Sequence, residues 1–199
     1  MKLAIDVDGV IYDTQKYIMV YSEIFDVDVL KRNSLVDKNG FWTSYRYNWT
    51  EEEERKFSEC ISEISEKANL VPGAKLVIDK LQKQGVEMVV ITARGDVQFE
   101  DNEQMIETTN RRFKEDNLKF QKVLYRQLDK IEACKNEKVD FIIDDSPIVC
   151  EQTSKAGIKT IFLRNSGVRS VEPNPNVTEV SDWGEVYRVI TDELRKQQS

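Results

Sequence analysis

The sequence predicts a doubly wound α/β fold, a parallel sheet covered by helices on both faces, with a small helical cap inserted after the first strand. Three observations point there. Short runs rich in Val, Ile and Phe recur along the 199-residue chain. They are continuous rather than alternating, the pattern of strands buried on both faces. Amphipathic stretches separate most of these runs, so strands alternate with helices. Residues 14–71 break the alternation with helical patterns and no strand, which is too long for an ordinary connection.

Taken in order, residues 2–6 read as the first strand. Residues 13–25 and 50–68 read as helices of the inserted segment. The second of these opens with Thr50 and Glu53 at capping-box spacing. Between them the run from Phe41 to Trp49 is unusually aromatic. Residues 74–84 form a helix that follows Pro72-Gly73 and stops at Gly85. The second strand spans 86–92 and its helix 100–116. The third strand spans 120–125 and its helix 128–137. The fourth strand spans 141–144 and its helix 147–156. The fifth strand spans 160–163, and a terminal helix covers 183–196. Residues 1–13 and 72–199 thus form the α/β core and residues 14–71 the helical cap.

Hydrophobic residues make up 40% and charged residues 33%, with a formal net charge of −7. An acidic chain lacks the basic surface that a nucleic-acid polymer requires. A small phosphorylated ligand held by a few local groups stays possible. The chain contains no histidine, which excludes serine–histidine triads and histidine zinc sites. Cys60, Cys134 and Cys150 have no zinc or redox spacing and read as reduced thiols. A charge at Lys2 and Asp6 interrupts any signal-peptide core, and no apolar run reaches membrane-spanning length. These features read as a cytoplasmic protein, a monomer or homodimer.

Ligands of open α/β sheets bind outside the carboxyl ends of the strands. The first predicted strand ends in Asp6-Val7-Asp8-Gly9 and the second in Thr92-Ala93-Arg94-Gly95. Lys130 follows the third, and the fourth ends in Asp144-Asp145-Ser146. Residues two apart share a face while a strand stays extended, so Asp6 and Asp8 reach one crevice. Gly9 lets the backbone turn sharply and approach a phosphate. Carboxylate oxygens suit magnesium, which Asp6 and one of Asp144 or Asp145 would hold. A carboxylate can attack phosphorus, and a second can move protons. Thr92, Lys130 and the metal would stabilise the phosphoryl oxygens. Each motif alone has a plainer reading: an acidic turn, a helix cap, a strand threonine, or a solvated lysine with Lys122, Lys135 and Lys138 as competitors. All four in this order at strand ends favour the catalytic reading.

These four motifs resemble those of the haloacid dehalogenase (HAD) superfamily of phosphohydrolases. The match covers residues 1–13 and 72–165 and implies a HAD-type, Rossmann-like core. The resemblance implies Asp6 as nucleophile, Asp8 as acid/base and Thr92 and Lys130 on the phosphate. The Asp8 backbone carbonyl would join Asp6 and a single acid of the Asp144–Asp145 pair on Mg2+. Asp144, nearest the strand end, is the favoured direct ligand and Asp145 the supporting one. The insertion after the first motif, the Thr92-Ala93-Arg94 triplet, the Ile143-Asp144-Asp145-Ser146 ending and the Val180–Tyr187 tail are similar to the 5′(3′)-deoxyribonucleotidase family and its bacterial relatives. That implies a nucleoside monophosphate as substrate, with its base stacked on cap aromatics. Phe41, Trp42 and Tyr45 lead the candidates, beside Tyr47 and Trp49, unless these rings form the cap's own core. Gly9, Ala93 and Arg94 are expected near the phosphate or sugar, Arg94 having a salt-bridge role as its alternative. Other readings are a phosphatase of the same superfamily acting on a sugar phosphate or another small phospho-metabolite, or a HAD-fold binding protein without turnover.

Overall fold

The structure is a computed structural model that describes residues 1–96, 102–164 and 168–198. Six strands form one parallel sheet in the order β3-β2-β1-β4-β5-β6. They are β1 (Lys2–Ile5), β2 (Glu87–Ile91), β3 (Lys122–Leu124), β4 (Phe141–Asp144), β5 (Lys159–Leu163) and β6 (Val177–Val180). The first three run outward to one edge and the last three to the other. The strand order therefore reverses between β1 and β4, which is where such sheets open a ligand crevice.

Alternate side chains of the strands point to opposite faces, and both faces are filled. Leu3, Ile5, Met88, Val90 and Ile143 join one core, with Val77, Ile78 and Leu81 of α5 (Ala74–Lys83) and Trp183, Val186 and Ile190 of α9 (Trp183–Gln198). Ala4, Val89, Ile91 and Ile142 face the other way, onto Ala133 and Cys134 of α7 (Lys130–Glu137). Burial on both sides is why the strands read as unbroken apolar runs. The Trp183 indole, fully buried, donates to the Val10 carbonyl at 2.9 Å and so ties the last helix beneath the first turn.

Five strands lie where the sequence puts them, to within a residue or two at most ends. The sixth escapes sequence reading. Thr178 and Glu179 are exposed on this edge strand, so it carries no apolar run. Register with β5, Thr160 opposite Val177 through Leu163 opposite Val180, recruits it instead. The helix expected over 100–116 is α6 (Asn102–Glu115), residues 100 and 101 lying outside the described residues. The helix expected over 128–137 begins at Lys130, with Asp129 as its cap.

Between β1 and β2 the chain leaves and returns through paired crossing segments. Asp13 N–H donates to Asn69 O at 2.8 Å and Val71 N–H to Ile11 O at 2.9 Å. The excursion holds α1 (Thr14–Ile24), a π-helical turn at Phe25–Val29 and the short α2 (Thr43–Arg46). The single helix expected over 50–68 is two, α3 (Glu51–Ser58) and α4 (Ile61–Lys67). The chain tightens at Cys60, whose N–H donates to Phe57 O at 2.9 Å, and no Gly or Pro marks the break. Thr50 and Glu53 do form a capping box.

A buried acid organises this segment. Asp26 accepts hydrogen bonds from Ser34 N–H at 2.8 Å, from the Ser34 hydroxyl, and from Trp49 Nε1 at 2.8 Å. Burial pushes its carboxyl up, but the Ser34 and Trp49 donors outweigh this and hold it below the usual range. A depressed folded pKa stabilises above the unfolded value and is lost as pH falls through the folded one. Asp26→Ala is therefore expected to cost about 1–3 kcal/mol at pH 7. In urea melts from pH 7 to pH 3, the difference from wild type should shrink below about pH 4; a difference that stays constant would contradict this.

Candidate active site

The side chains at the carboxyl ends of β1 and β4 meet at the switch point. Asp6 follows β1, and its N–H donates to Ile143 O at 3.0 Å, extending the sheet pairing by one residue. Gly9 then turns the chain back with φ +69°, a left-handed conformation that suits glycine. Its N–H donates to Tyr12 O at 2.7 Å.

Asp6, Asp144 and Asp145 are all buried and each offers a carboxylate oxygen within 4.8 Å of the others. Lys130, the first residue of α7, reaches into this group. Its Nζ stands 2.9 Å from Asp6 Oδ1 and donates to Asp144 Oδ2 at 2.7 Å. The contact to Asp6 is an ion pair without hydrogen-bond alignment, since Asp6 Oδ1 has no aligned donor among the described residues. Asp129 positions the lysine by capping α7, accepting from Ile131 N–H at 2.9 Å and Glu132 N–H at 3.3 Å. The competing lysines are elsewhere: Lys122 pairs with Glu137 at the opposite end of β3, Lys135 is exposed late in α7, and Lys138 is exposed at the cap that follows it.

Electrostatics follow from this crowding. Burial, then the charges of Asp144 and Asp8, push the Asp6 carboxyl up to about 7 against the pull of Lys130. Asp145 is pushed well above the usual carboxylate range by burial, Asp144 and Asp6. Burial lowers the Lys130 ammonium, but Asp144 and Asp6 more than compensate and raise it. Three buried carboxylates facing one ammonium leave negative charge that a cation would offset, and the donors are all oxygen. The site therefore fits a hard divalent ion such as magnesium.

The Asp8 carboxylate turns away from that group. It accepts from Arg94 Nε at 2.9 Å and Nη2 at 2.6 Å, and from Thr14 Oγ1 at 2.7 Å. Burial raises its pKa, but Arg94 and then Thr14 outweigh this and hold it low. Arg94 thus takes its salt-bridge alternative rather than standing open to a phosphate. Thr92 is buried, its Oγ1 accepting from Arg94 N–H at 3.2 Å, and Ala93 beside it is half-buried. Thr14 was not legible as a site residue; a buried threonine at the first position of a helix just after Asp6-Val7-Asp8-Gly9 is the signal that could have found it.

The aromatic segment divides. Phe41 is buried against Cys150 and Phe162 in the core, so its ring is no open platform. Tyr47 stacks on Trp49 at 4.4 Å, and Trp49 packs on Phe25 and Phe57 at 5.1 and 5.3 Å, so these rings build the inserted segment's own core. Arg46 donates to Glu23 at 3.0 Å and to the Lys38 carbonyl. Trp42 and Tyr45 remain exposed.

No model of a protein family matches this sequence, and no curated protein matches it. Solved structures do. A haloacid dehalogenase-like family hydrolase of Streptococcus pneumoniae superposes with a TM-score of 0.64 at 13% identity, over 95% of this chain and 97% of its own. A HAD-hydrolase of Bacillus subtilis bound to magnesium gives 0.58 at 17% identity, over 96% and 98%. A Rhodobacter sphaeroides protein, CbbY, in complex with xylulose-1,5-bisphosphate gives 0.58 at 14% identity, over 92% and 95%. At such identities the likeness is one of fold: this chain has the architecture of HAD-superfamily hydrolases. No helix among the described residues is long and apolar enough to cross a membrane.

Proposed function

We propose that this protein is a magnesium-dependent phosphomonoesterase acting on nucleoside monophosphates. The observation that carries the reading is the meeting of Asp6, Asp144, Asp145 and Lys130 at the switch point, beside an independently held Asp8. Asp6 attacks phosphorus to form an aspartyl-phosphate. Asp8, once it has taken up a proton against the pull of Arg94, gives it to the leaving oxygen and then takes one from the water that hydrolyses the intermediate. Lys130, the Thr92 hydroxyl and the backbone amides of Asp8 and Ala93 hold the phosphoryl oxygens; the Gly9 N–H, expected beside them, instead donates to Tyr12 O within the turn. Magnesium, when bound by Asp6, the Asp8 carbonyl and one of the acid pair, offsets the charge spread over those oxygens. The segment over residues 14–71 serves as a cap that excludes bulk water and selects the leaving group.

Asp144 orients Lys130: its Oδ2 accepts from Lys130 Nζ at 2.7 Å and its Oδ1 from Ser146 N–H at 2.9 Å. By calorimetry, Asp144→Asn and Asp145→Asn are each expected to weaken magnesium binding, the direct ligand of the pair by more than the roughly 10–100-fold loss of a supporting acid. Unchanged binding in either variant would remove that acid from the metal site.

Trp42 and Tyr45 support the nucleotide reading, because exposed rings can stack on a base for about 1–3 kcal/mol. A sugar phosphate is the second reading, favoured by the sugar bisphosphate in the Rhodobacter neighbour. A panel of nucleoside monophosphates and sugar phosphates, with magnesium and with EDTA, separates them. Magnesium-dependent hydrolysis that favours nucleotides is expected. A preference for sugar phosphates removes the nucleotide claim, and no hydrolysis of any phosphate ester removes the enzyme.

A further inference from the structure

We propose that Arg94 is a positioning residue for Asp8, and that Thr109 on α6 holds Arg94 in turn; this rests on the phosphatase reading above. Arg94 is 1% exposed. All three of its guanidinium nitrogens are engaged: Nε and Nη2 on Asp8, and Nη1 on Thr109 Oγ1 at 2.8 Å. The polarity of the last contact is fixed, because the Thr109 hydroxyl spends its one proton on Met105 O at 2.6 Å and must accept from arginine. The chain from α6 to Asp8 is therefore directional and buried at its Arg94 and Thr109 links.

At Asp8 the fork discriminates between the two oxygens. Among the described residues, Oδ1 accepts from both Arg94 and Thr14, whereas Oδ2 accepts from Arg94 Nε alone. Oδ2 keeps acceptor capacity on a side chain that is 36% exposed, and on this proposal it is the oxygen that carries the proton. A planar guanidinium fixes a carboxylate plane through two parallel bonds, which an ammonium cannot do. Arg94 so acts through Asp8 and touches no phosphate.

The test is a double-mutant cycle of Arg94→Lys with Asp8→Asn, with Thr109→Val as a near-isosteric second probe that keeps the buried charge pair. For an alkyl phosphate, whose leaving group needs a proton, Arg94→Lys should lower kcat/KM about 10²-fold and Thr109→Val about tenfold. For p-nitrophenyl phosphate, whose leaving group needs little protonation, both losses should shrink to about threefold or less. Inhibition by inorganic phosphate should be unchanged. In the Asp8→Asn background, Arg94→Lys should cost nothing further. Multiplying losses, equal losses for both leaving groups, or weakened phosphate inhibition would each overturn the proposal. If the wild type hydrolyses no phosphate ester, the phosphatase reading fails by itself. Crystal structures of the wild type and Arg94→Lys then decide the positioning claim: a displaced Asp8 carboxylate supports it and an unmoved one overturns it.

Discussion

Asp6→Asn is expected to abolish phosphate-ester hydrolysis while leaving the protein folded. The amide is nearly isosteric with the carboxylate but is a poor nucleophile, so no aspartyl-phosphate forms. The substitution should cost little stability. Asp6 sits among Asp144, Asp145 and Asp8, its carboxyl pushed up to about 7 by burial and by the Asp144 and Asp8 charges. Its Oδ1 has no aligned hydrogen-bond donor to lose among the described residues. A neutral side chain there relieves repulsion, and the thermal midpoint should be unchanged or higher. Hydrolysis within tenfold of wild type in a folded variant would remove Asp6 from its role.

The largest effect on stability is expected at Lys130. Lys130→Met keeps the stem and deletes the ammonium that faces Asp6 and Asp144. Breaking a buried ion pair from one side costs about 3–5 kcal/mol, because the remaining charge stays buried and uncompensated. The carboxylates can answer by taking up protons. An acid whose folded pKa lies above its unfolded value contributes less as pH rises through that folded value. The deficit of the variant should therefore be larger at pH 8 than at pH 5. Magnesium should restore part of it, since an ion that binds only the folded state stabilises by mass action. Urea denaturation at both pH values, with and without magnesium, reads all three effects. A loss below about 1 kcal/mol at pH 8 would mean that Lys130 is not the counter-charge of this cluster. Turnover should fall with it, because the same ammonium is proposed to hold the phosphoryl oxygens.

Much of the core was readable because its signals are local. A strand buried on both faces shows as an apolar run whatever it pairs with, as Phe141-Ile142-Ile143 does. A glycine after a short acidic turn and a serine before Pro147 mark the strand ends and the helix start, and the structure places Gly9 and Ser146 in those positions. Edge strand β6 was not readable, since only Val180 of its four residues is buried. The break between α3 and α4 was not readable either, because a tightened turn at Cys60 needs no special residue.

The sequence by itself determined that a parallel α/β core would gather Asp6, Asp144 and Asp145, because strand burial and strand-end turns are written into neighbouring residues. Only the tertiary structure decided which partners those residues take. It selected Lys130 over three other lysines, gave Arg94 to Asp8, and sank Phe41 into the core while leaving Trp42 outside. Each choice joins residues far apart in the chain: Asp8 to Arg94, Lys130 to Asp6, Phe41 to Phe162. Their meeting depends on the order β3-β2-β1-β4-β5-β6 and on where each helix packs, and no local pattern carries that information.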